Sequence, residues 1–179
     1  MKSGVFFLRA GYIFEEELEH ILAALMPPNR LALRVSLATG LRIGDVLSLM
    51  RIRLAPRMTV KEQKTGKSRR VYIPAALLEE MQAQAGRYWV FEGRTDPRKH
   101  RTRQAVYKDL ARAAKLFRLP SWQHISPHSA RKVFAVREYH KDGDLKRVQQ
   151  LLNHDSEAVT VLYAMADQLT MRRTPQKAD

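Results

Sequence analysis

The stretch of sequence that decides the fold is Arg30-Leu31-Ala32-Leu33-Arg34-Val35-Ser36-Leu37-Ala38-Thr39-Gly40-Leu41-Arg42-Ile43-Gly44-Asp45-Val46-Leu47-Ser48-Leu49-Met50. Residues 30–38 are nearly apolar and predict a buried helix, which Gly40 suits as the C-terminal end. Residues 43–50 predict a short helix that follows. Arg42 therefore lies between two buried segments, where a charged group needs an anionic partner. Asp45 is the candidate, and such a pair either fixes a functional guanidinium or only ties two helices together.

Working outward, the pattern predicts a mainly helical chain with one small antiparallel sheet, an α+β fold in a single domain. Two short strands, residues 58–62 and 70–73, flank the turn sequence Lys64-Thr65-Gly66-Lys67 and predict a β-hairpin. Residues 88–91 are either a short strand or an apolar anchor, and residues 92–102 form a polar, basic loop. Apolar periodicity predicts helices at about residues 15–25, 30–38, 43–50, 74–85, 103–117, 128–141, 144–152 and 156–165.

Composition favours a polyanionic partner. The 179 residues include 32 Lys and Arg against 18 Asp and Glu, a formal net charge of +14. Nucleic acid is the expected partner, and binding should weaken as salt rises; a basic structural protein of the ribosomal kind would carry the same charge. The absence of cysteine excludes disulfides, thiolate catalysis and Cys-based zinc sites. No apolar run is long enough to span a membrane, so we expect a soluble, cytoplasmic protein.

Several side chains together could break a phosphodiester bond without a metal. Arginine forks can clamp phosphate oxygens, imidazoles can add donors, a phenol can attack, and a lysine can protonate the leaving oxygen. His128 and Arg131 share one helix face, since they are three residues apart. Taken singly, each candidate also has an ordinary structural explanation, such as a solvated arginine or a core tyrosine. The candidates are Arg42, Lys64 (with Lys61 and Lys67 as competitors), His128, Arg131, His154 and Tyr163.

A metal or other cofactor is not expected. The chain has no carboxylate cluster at suitable spacing to hold a metal ion. His124 and His128 are four residues apart, but Pro127 between them makes a shared regular helix improbable.

The order and spacing of these residues resemble the tyrosine recombinase (phage integrase) family over roughly residues 12–165. The run from Ala38 to Leu49 resembles the family's first arginine box. Gln63-Lys64-Thr65-Gly66-Lys67 with Val71-Tyr72-Ile73-Pro74 resembles its lysine hairpin. Pro127-His128-Ser129-Ala130-Arg131 resembles its H-x-x-R box, and Val148-Gln149-Gln150-Leu151-Leu152-Asn153-His154 followed by Tyr163 resembles its last histidine and nucleophile.

The resemblance implies a role for each matching residue. Tyr163 would attack a DNA phosphate and form a 3′-phosphotyrosyl bond, while Lys64 protonates the leaving 5′-oxygen. His128 would bond the phosphate and accept the tyrosine's proton. The remaining members would hold the phosphate or support that grip: Arg42 and Arg131 as the clamp, His154 as a further contact, and Asp45 as the acid supporting the first arginine.

Two positions depart from the family pattern. Asn153 stands where the family usually has glycine, and Lys132 stands where a histidine is common. We expect little effect from either, because asparagine tolerates the left-handed conformation and lysine keeps the charge.

The resemblance also implies an organisation. Residues 1–165 would be the catalytic domain and residues 166–179 a polar tail exchanged between subunits of a homotetramer bound to two DNA sites. The family's N-terminal DNA-gripping domain is not found, so the chain is either an excised catalytic domain or a small one-domain recombinase. The expected outcome is integration, excision or inversion of DNA, and the target sequence stays open.

Two other functions remain possible, a type IB topoisomerase-like nicking and closing activity and a non-catalytic DNA-binding regulator. For the recombinase and for either alternative, the DNA backbone would be held by basic side chains outside the catalytic set. The candidates are Lys67, Arg69, Arg70, Arg94, Arg98, Lys99, Arg101 and Arg103.

Overall fold

The computed structural model of the chain describes Ile13 and residues 15–117 and 125–152. The predicted helix at residues 156–165, together with His154 and Tyr163, lies outside the described residues. Within them the fold is mostly helical with one two-stranded antiparallel sheet, which confirms the predicted α+β class. The elements in chain order are α1 (Glu15–Ala23), α2 (Pro27–Thr39), α3 (Ile43–Leu47), a 3-10 turn (Arg51–Arg53), β1 (Arg57–Lys61), β2 (Ser68–Tyr72), α4 (Ala75–Gln84), α5 (Arg103–Leu116), α6 (His128–Asp142) and α7 (Leu145–Leu152).

Helix α2 is the centre of the packing, as its apolar sequence predicts. It contacts α1, α3, α4 and α6, and side chains on most of its surface are buried. It begins three residues earlier than predicted, because Pro27 and Pro28 occupy its first turn, where a missing N–H costs nothing. It ends at Gly40, whose φ of 65° is the left-handed cap conformation. Helix α3 is shorter than predicted and ends at Leu47.

The hairpin has the predicted topology and a clear inner face. Arg57 pairs with Tyr72 and Lys61 with Ser68, and the tip spans residues 62–67. Val60 and Val71 point inward and are buried, while their neighbours along each strand are exposed. Gly66 in the tip has a φ of 68°, which supports the predicted glycine-containing turn. The hairpin thus rests against the core on one face and leaves its tip exposed.

The segment at residues 88–91 is an apolar anchor. Among the described residues it has one ladder pairing, an isolated bridge between Met50 and Trp89. Val90 and Phe91 are fully buried, and the Val90 N–H donates to the Leu49 carbonyl at 3.0 Å. The long basic loop that follows is therefore fixed at its start, next to the end of the α3 segment.

Helix α5 is tied to the junction of α1 and α2 through one buried carboxylate. Asp109 accepts hydrogen bonds from the Met26 N–H at 2.9 Å and from Asn29 Nδ2 at 2.7 Å, and it pairs with Arg112. Burial alone would raise the pKa of Asp109, but these hydrogen bonds hold that pKa below its ordinary value. This contact is structural and lies apart from the residues considered next.

Candidate active site

Arg42 lies in the connection between α2 and α3 and points into the protein. Its backbone is extended and caps α3, and its side chain is about nine-tenths buried. NH1 donates to Oε2 of Glu62 at 2.5 Å, and the Glu62 side chain is fully buried. A buried guanidinium requires such a partner, because an unpaired charge in the interior is very costly.

Asp45 makes its hydrogen bond to the hairpin. Its Oδ1 accepts a hydrogen bond from the Gln63 N–H at 2.9 Å, so it tethers the hairpin tip to α3. Burial raises the pKa of Asp45, and the charges of Arg42 and Arg131 oppose that rise. The carboxylate that pairs with Arg42 is therefore Glu62, and Asp45 supports the arginine through its charge and through the hairpin.

Arg131 lies on α6 and joins the ends of two other helices. NH1 donates to the Gly40 carbonyl at 2.5 Å and NH2 to the Leu152 carbonyl at 2.7 Å, at the C-terminal ends of α2 and α7. These carbonyls are the negative ends of helix dipoles, which favour a cation. Burial, with the nearby charges of Arg42 and Arg69, lowers the pKa of Arg131 to about 10. The side chain remains charged at neutral pH.

Arg69 does not lie on the surface, where the sequence analysis placed it among the backbone contacts. It is 8% exposed on the inner face of β2, and NH2 donates to the Thr39 carbonyl at 2.6 Å. Burial lowers the pKa of Arg69. The strand alternation explains this position, since Arg69 pairs directly with the inward-facing Val60.

Buried charges of both signs therefore meet at the base of the hairpin. Arg131 is one of five such buried residues, and each of the other four acts electrostatically on it. Three guanidinium groups and two carboxylates leave an excess of one positive charge among these five described residues. The five are Arg42, Asp45, Glu62, Arg69 and Arg131.

Lys64 and His128 stand at the exposed edge of this cluster. Lys64 lies in the hairpin tip, between Gln63, which Asp45 tethers, and Thr65, whose hydroxyl donates to Glu62 at 3.0 Å. His128 is the first residue of α6, three positions before Arg131, and its N–H donates to the Ser126 hydroxyl. Next to Arg131, Lys132 is half-buried, and burial lowers the pKa of Lys132.

The remaining basic candidates are mostly exposed, as a contact with a DNA backbone requires. Arg101 is half-buried, and burial lowers the pKa of Arg101. Arg98 pairs with Asp96 at 3.3 Å. The exposed members are Lys67, Arg70, Arg94, Arg98, Lys99 and Arg103.

Sequence reasoning missed Glu62, although a signal for it was present. In the alternating pattern of β1, Val60 points inward and Lys61 outward, so the next residue has inward parity. An acid at an inward position needs a buried cation, and Arg42 is the one it meets. Its separation of 20 residues from that partner hides the pair from any local motif.

The described part of the chain shows neither a metal site nor a membrane-spanning helix. There, no three His, Asp or Glu side chains come together as a metal site would need. No helix within residues 15–117 or 125–152 is long and apolar enough to cross a membrane.

A family model matches most of the sequence. The model of the phage integrase family matches residues 12–169. The chain belongs to the phage integrase family. Its similarity to curated members includes 31% identity over 155 residues with the integrase of Escherichia phage P2, covering 86% of the chain and 42% of that protein. With the tyrosine recombinase XerD of Caulobacter vibrioides the identity is 33% over 174 residues, covering 83% of the chain and 55% of that protein.

Solved structures of tyrosine recombinases share the fold of this phage integrase family member. A lambda integrase dimer bound to a COC′ core site matches with a TM-score of 0.74 at 21% identity, covering 100% of the chain and 53% of that protein. The XerH site-specific recombinase bound to palindromic difH substrate matches with a TM-score of 0.72 at 22% identity, covering 96% of the chain and 54% of that protein. The chain thus spans about half the length of the relatives that it matches.

Proposed function

We propose that residues 1–165 are the catalytic domain of a site-specific DNA recombinase that cuts and rejoins DNA through a covalent bond to Tyr163. The observation that carries the proposal is the convergence of Arg42 and Arg131 from distant parts of the chain, beside the exposed Lys64 turn. The family membership supports the same reaction. Tyr163 and His154 lie outside the described residues, so their roles rest on the sequence motifs.

The charge of the cluster suits a phosphodiester. The ground-state phosphate carries one negative charge, which matches the excess of one positive charge among the five buried residues. As the pentacoordinate state forms, a further negative charge develops on the non-bridging oxygens. Arginines fixed in advance stabilise that charge without reorganising, and they supply the function that a metal ion has in other enzymes.

In the proposed cleavage step the Tyr163 phenolic oxygen bonds to phosphorus and the bond from phosphorus to the 5′-oxygen breaks. His128 accepts the phenolic proton. The departing 5′-oxygen keeps the electron pair of the broken bond and takes a proton from Lys64. The products are a 3′-phosphotyrosyl bond and a free 5′-hydroxyl. Rejoining reverses the step with a 5′-hydroxyl from a partner strand, so the energy of the phosphate ester is kept and no ATP is used.

Double-stranded DNA is the proposed partner, bound by a homotetramer that assembles on two sites. Lambda integrase, one of the structural relatives, has been solved as a tetramer on a Holliday junction. Residues 166–179 are proposed to be the segment exchanged between subunits. The exposed cations around the hairpin and the basic loop are the proposed backbone contacts, which would make binding depend steeply on salt.

The test is capture of the covalent intermediate on a nicked DNA substrate that loses the strand needed for rejoining. The wild-type chain, in buffer with EDTA, is expected to give a protein–DNA adduct that survives denaturation. Tyr163→Phe should abolish it, and Tyr107→Phe, which changes an exposed tyrosine on α5, should not. An adduct that persists in Tyr163→Phe would refute the assignment of the nucleophile. DNA binding without any adduct would favour a non-catalytic regulator.

A further inference from the structure

Glu62 makes more contacts at the hairpin than a strand residue needs. Its carboxylate Oε2 accepts from both Arg42 NH1 at 2.5 Å and the Thr65 hydroxyl at 3.0 Å. Its backbone carbonyl accepts from the Gly66 N–H at 2.9 Å, and its N–H donates to the Lys67 carbonyl at 3.0 Å. One residue thus closes the whole tip and joins that tip to Arg42.

Lys64 lies inside the loop that these bonds close. On its N-terminal side Gln63 is held by Asp45, and on its C-terminal side Thr65 is held by Glu62. Both neighbours of Lys64 in the chain are therefore held by carboxylates of the buried charge cluster that contains Arg42. An exposed lysine on a free hairpin would move independently of that arginine.

Stability alone does not explain why an ion pair, rather than an apolar pair, occupies this position. A buried ion pair often contributes no more than an apolar pair of the same volume, because desolvation offsets the attraction. Glu62 Oε1 is also buried and has no hydrogen-bond partner among the described residues, which adds a cost. The other oxygen, Oε2, is the one that accepts from both Arg42 and Thr65.

We propose that Glu62 is a positioning residue that sets the distance between the Lys64 turn and Arg42, so that phosphate clamping and proton donation to the leaving oxygen act at one phosphate. The inference rests on the proposed function and adds a residue to its machinery. Thr65 links the Lys64 turn to Glu62, since its hydroxyl is the contact between the tip and the carboxylate.

The experiment compares two DNA substrates that differ only in the leaving atom, a normal 5′-oxygen or a 5′-bridging sulfur. A thiolate is a good leaving group without protonation, since thiol pKa values lie near about 8.5. Loss of proton donation therefore slows cleavage of the oxygen substrate and spares the sulfur substrate. Lys64→Ala is the reference, with an expected loss on oxygen of about 100-fold or more.

Glu62→Ala and Thr65→Val are the test variants. Thr65→Val removes one half-buried hydroxyl, leaves the pair between Glu62 and Arg42 and should fold normally. Each is expected to lower the ratio of oxygen to sulfur cleavage by about tenfold, a part of the effect of a general acid. Asp109→Ala is the matched control, because it removes a buried paired carboxylate on α5 and should leave the ratio unchanged.

The outcomes separate the two proposals. If Thr65→Val and Glu62→Ala slow both substrates equally, Glu62 acts on the fold or on Arg42 alone, and the inference is overturned. If the wild-type chain cleaves the substrates but Lys64→Ala shows no sparing of sulfur, the role of Lys64 fails and the inference fails with it. If the wild-type chain cleaves neither substrate, the proposed function itself is refuted.

Discussion

Replacing Gly40 with alanine tests how the arginine clamp is built. Gly40 ends α2 with a φ of 65°, and its N–H donates to the Ser36 carbonyl at 2.8 Å. A Cβ at this position would overlap Cδ1 and Cε1 of the Phe134 ring on α6. The ring is 6% exposed and packs in the cluster between α6 and α7, so it has little room to move away.

The expected destabilisation has two parts. Holding an alanine in the left-handed conformation costs about 1–2 kcal/mol. Forcing a methyl group into a packed ring costs about 1–3 kcal/mol more. Gly40→Ala should therefore lower the free energy of unfolding by about 2–5 kcal/mol. The carbonyl that Arg131 uses belongs to the same residue, so DNA cleavage should fall as well.

Gly143→Ala is the matched control for the conformational part. Gly143 caps α6 with a φ of 70°, and its N–H donates to the Tyr139 carbonyl at 2.7 Å. Apart from the glycine itself and its neighbours in the chain, nothing in the described part of the protein lies within 4 Å of a Cβ built there. Urea unfolding of both variants, with unchanged m-values, gives the comparison. Gly40→Ala should be the less stable by about 1–3 kcal/mol.

A second substitution identifies the source of that difference. Phe134→Leu in the Gly40→Ala background should recover part of the loss, because it removes the ring that the methyl group overlaps. Equal losses in Gly40→Ala and Gly143→Ala, or no coupling between residues 40 and 134, would refute the packing argument.

Three further predictions concern charge. Asp109 has a lowered pKa, so its charged form stabilises the folded protein above the unfolded pKa of 3.8, and this stabilisation is lost as pH falls through the folded pKa. Asp109→Asn should therefore lower the free energy of unfolding by about 2 kcal/mol at pH 7 and by progressively less in acid. The raised pKa of Asp45 has the opposite effect, because the free-energy cost of its charged form in the folded protein grows as pH rises from 3.8 through the folded pKa. Asp45→Asn should therefore gain stability relative to wild type over that pH range, as measured by unfolding curves in acid. Arg70→Ala, at an exposed position on β2, should reduce the slope of log affinity for DNA against log salt by about 1, and an unchanged slope would exclude that contact.

The features that sequence predicted well are local ones. The helices α2 and α3, the glycine between them and the hairpin turn each follow from the pattern of a few neighbouring residues. The partner of Arg42 was not predictable in this way. Asp45, three residues away, is the nearest acid, but it faces Gln63, and the partner comes from a strand 20 residues along the chain.

For Arg69 the strand alternation predicts a buried position, but its residue type predicts an exposed one. Period-two alternation places it on the same face as Val71, which is buried. Its charge suggested a surface position, since arginines are mostly exposed. The Thr39 carbonyl at the end of α2 is what makes burial tolerable, and that contact depends on how the hairpin packs against α2.

The two arginines of the clamp are held in different ways, and this difference has a chemical consequence. Glu62 neutralises much of the charge of Arg42, whereas backbone carbonyls hold Arg131 in place without neutralising it. In the proposed reaction Arg131 would therefore present most of the excess positive charge to the phosphate, from a position set by α2 and α7. Loss of Arg42 would leave a buried carboxylate unpaired and weaken the fold, and loss of Arg131 would deprive the buried Gly40 and Leu152 carbonyls of that donor as well as remove charge from the site. The proposed clamp thus joins one arginine tied to the hairpin and one tied to the helical core, so the proposed reaction would require the hairpin to be seated against the core before both arginines could bind the same phosphate.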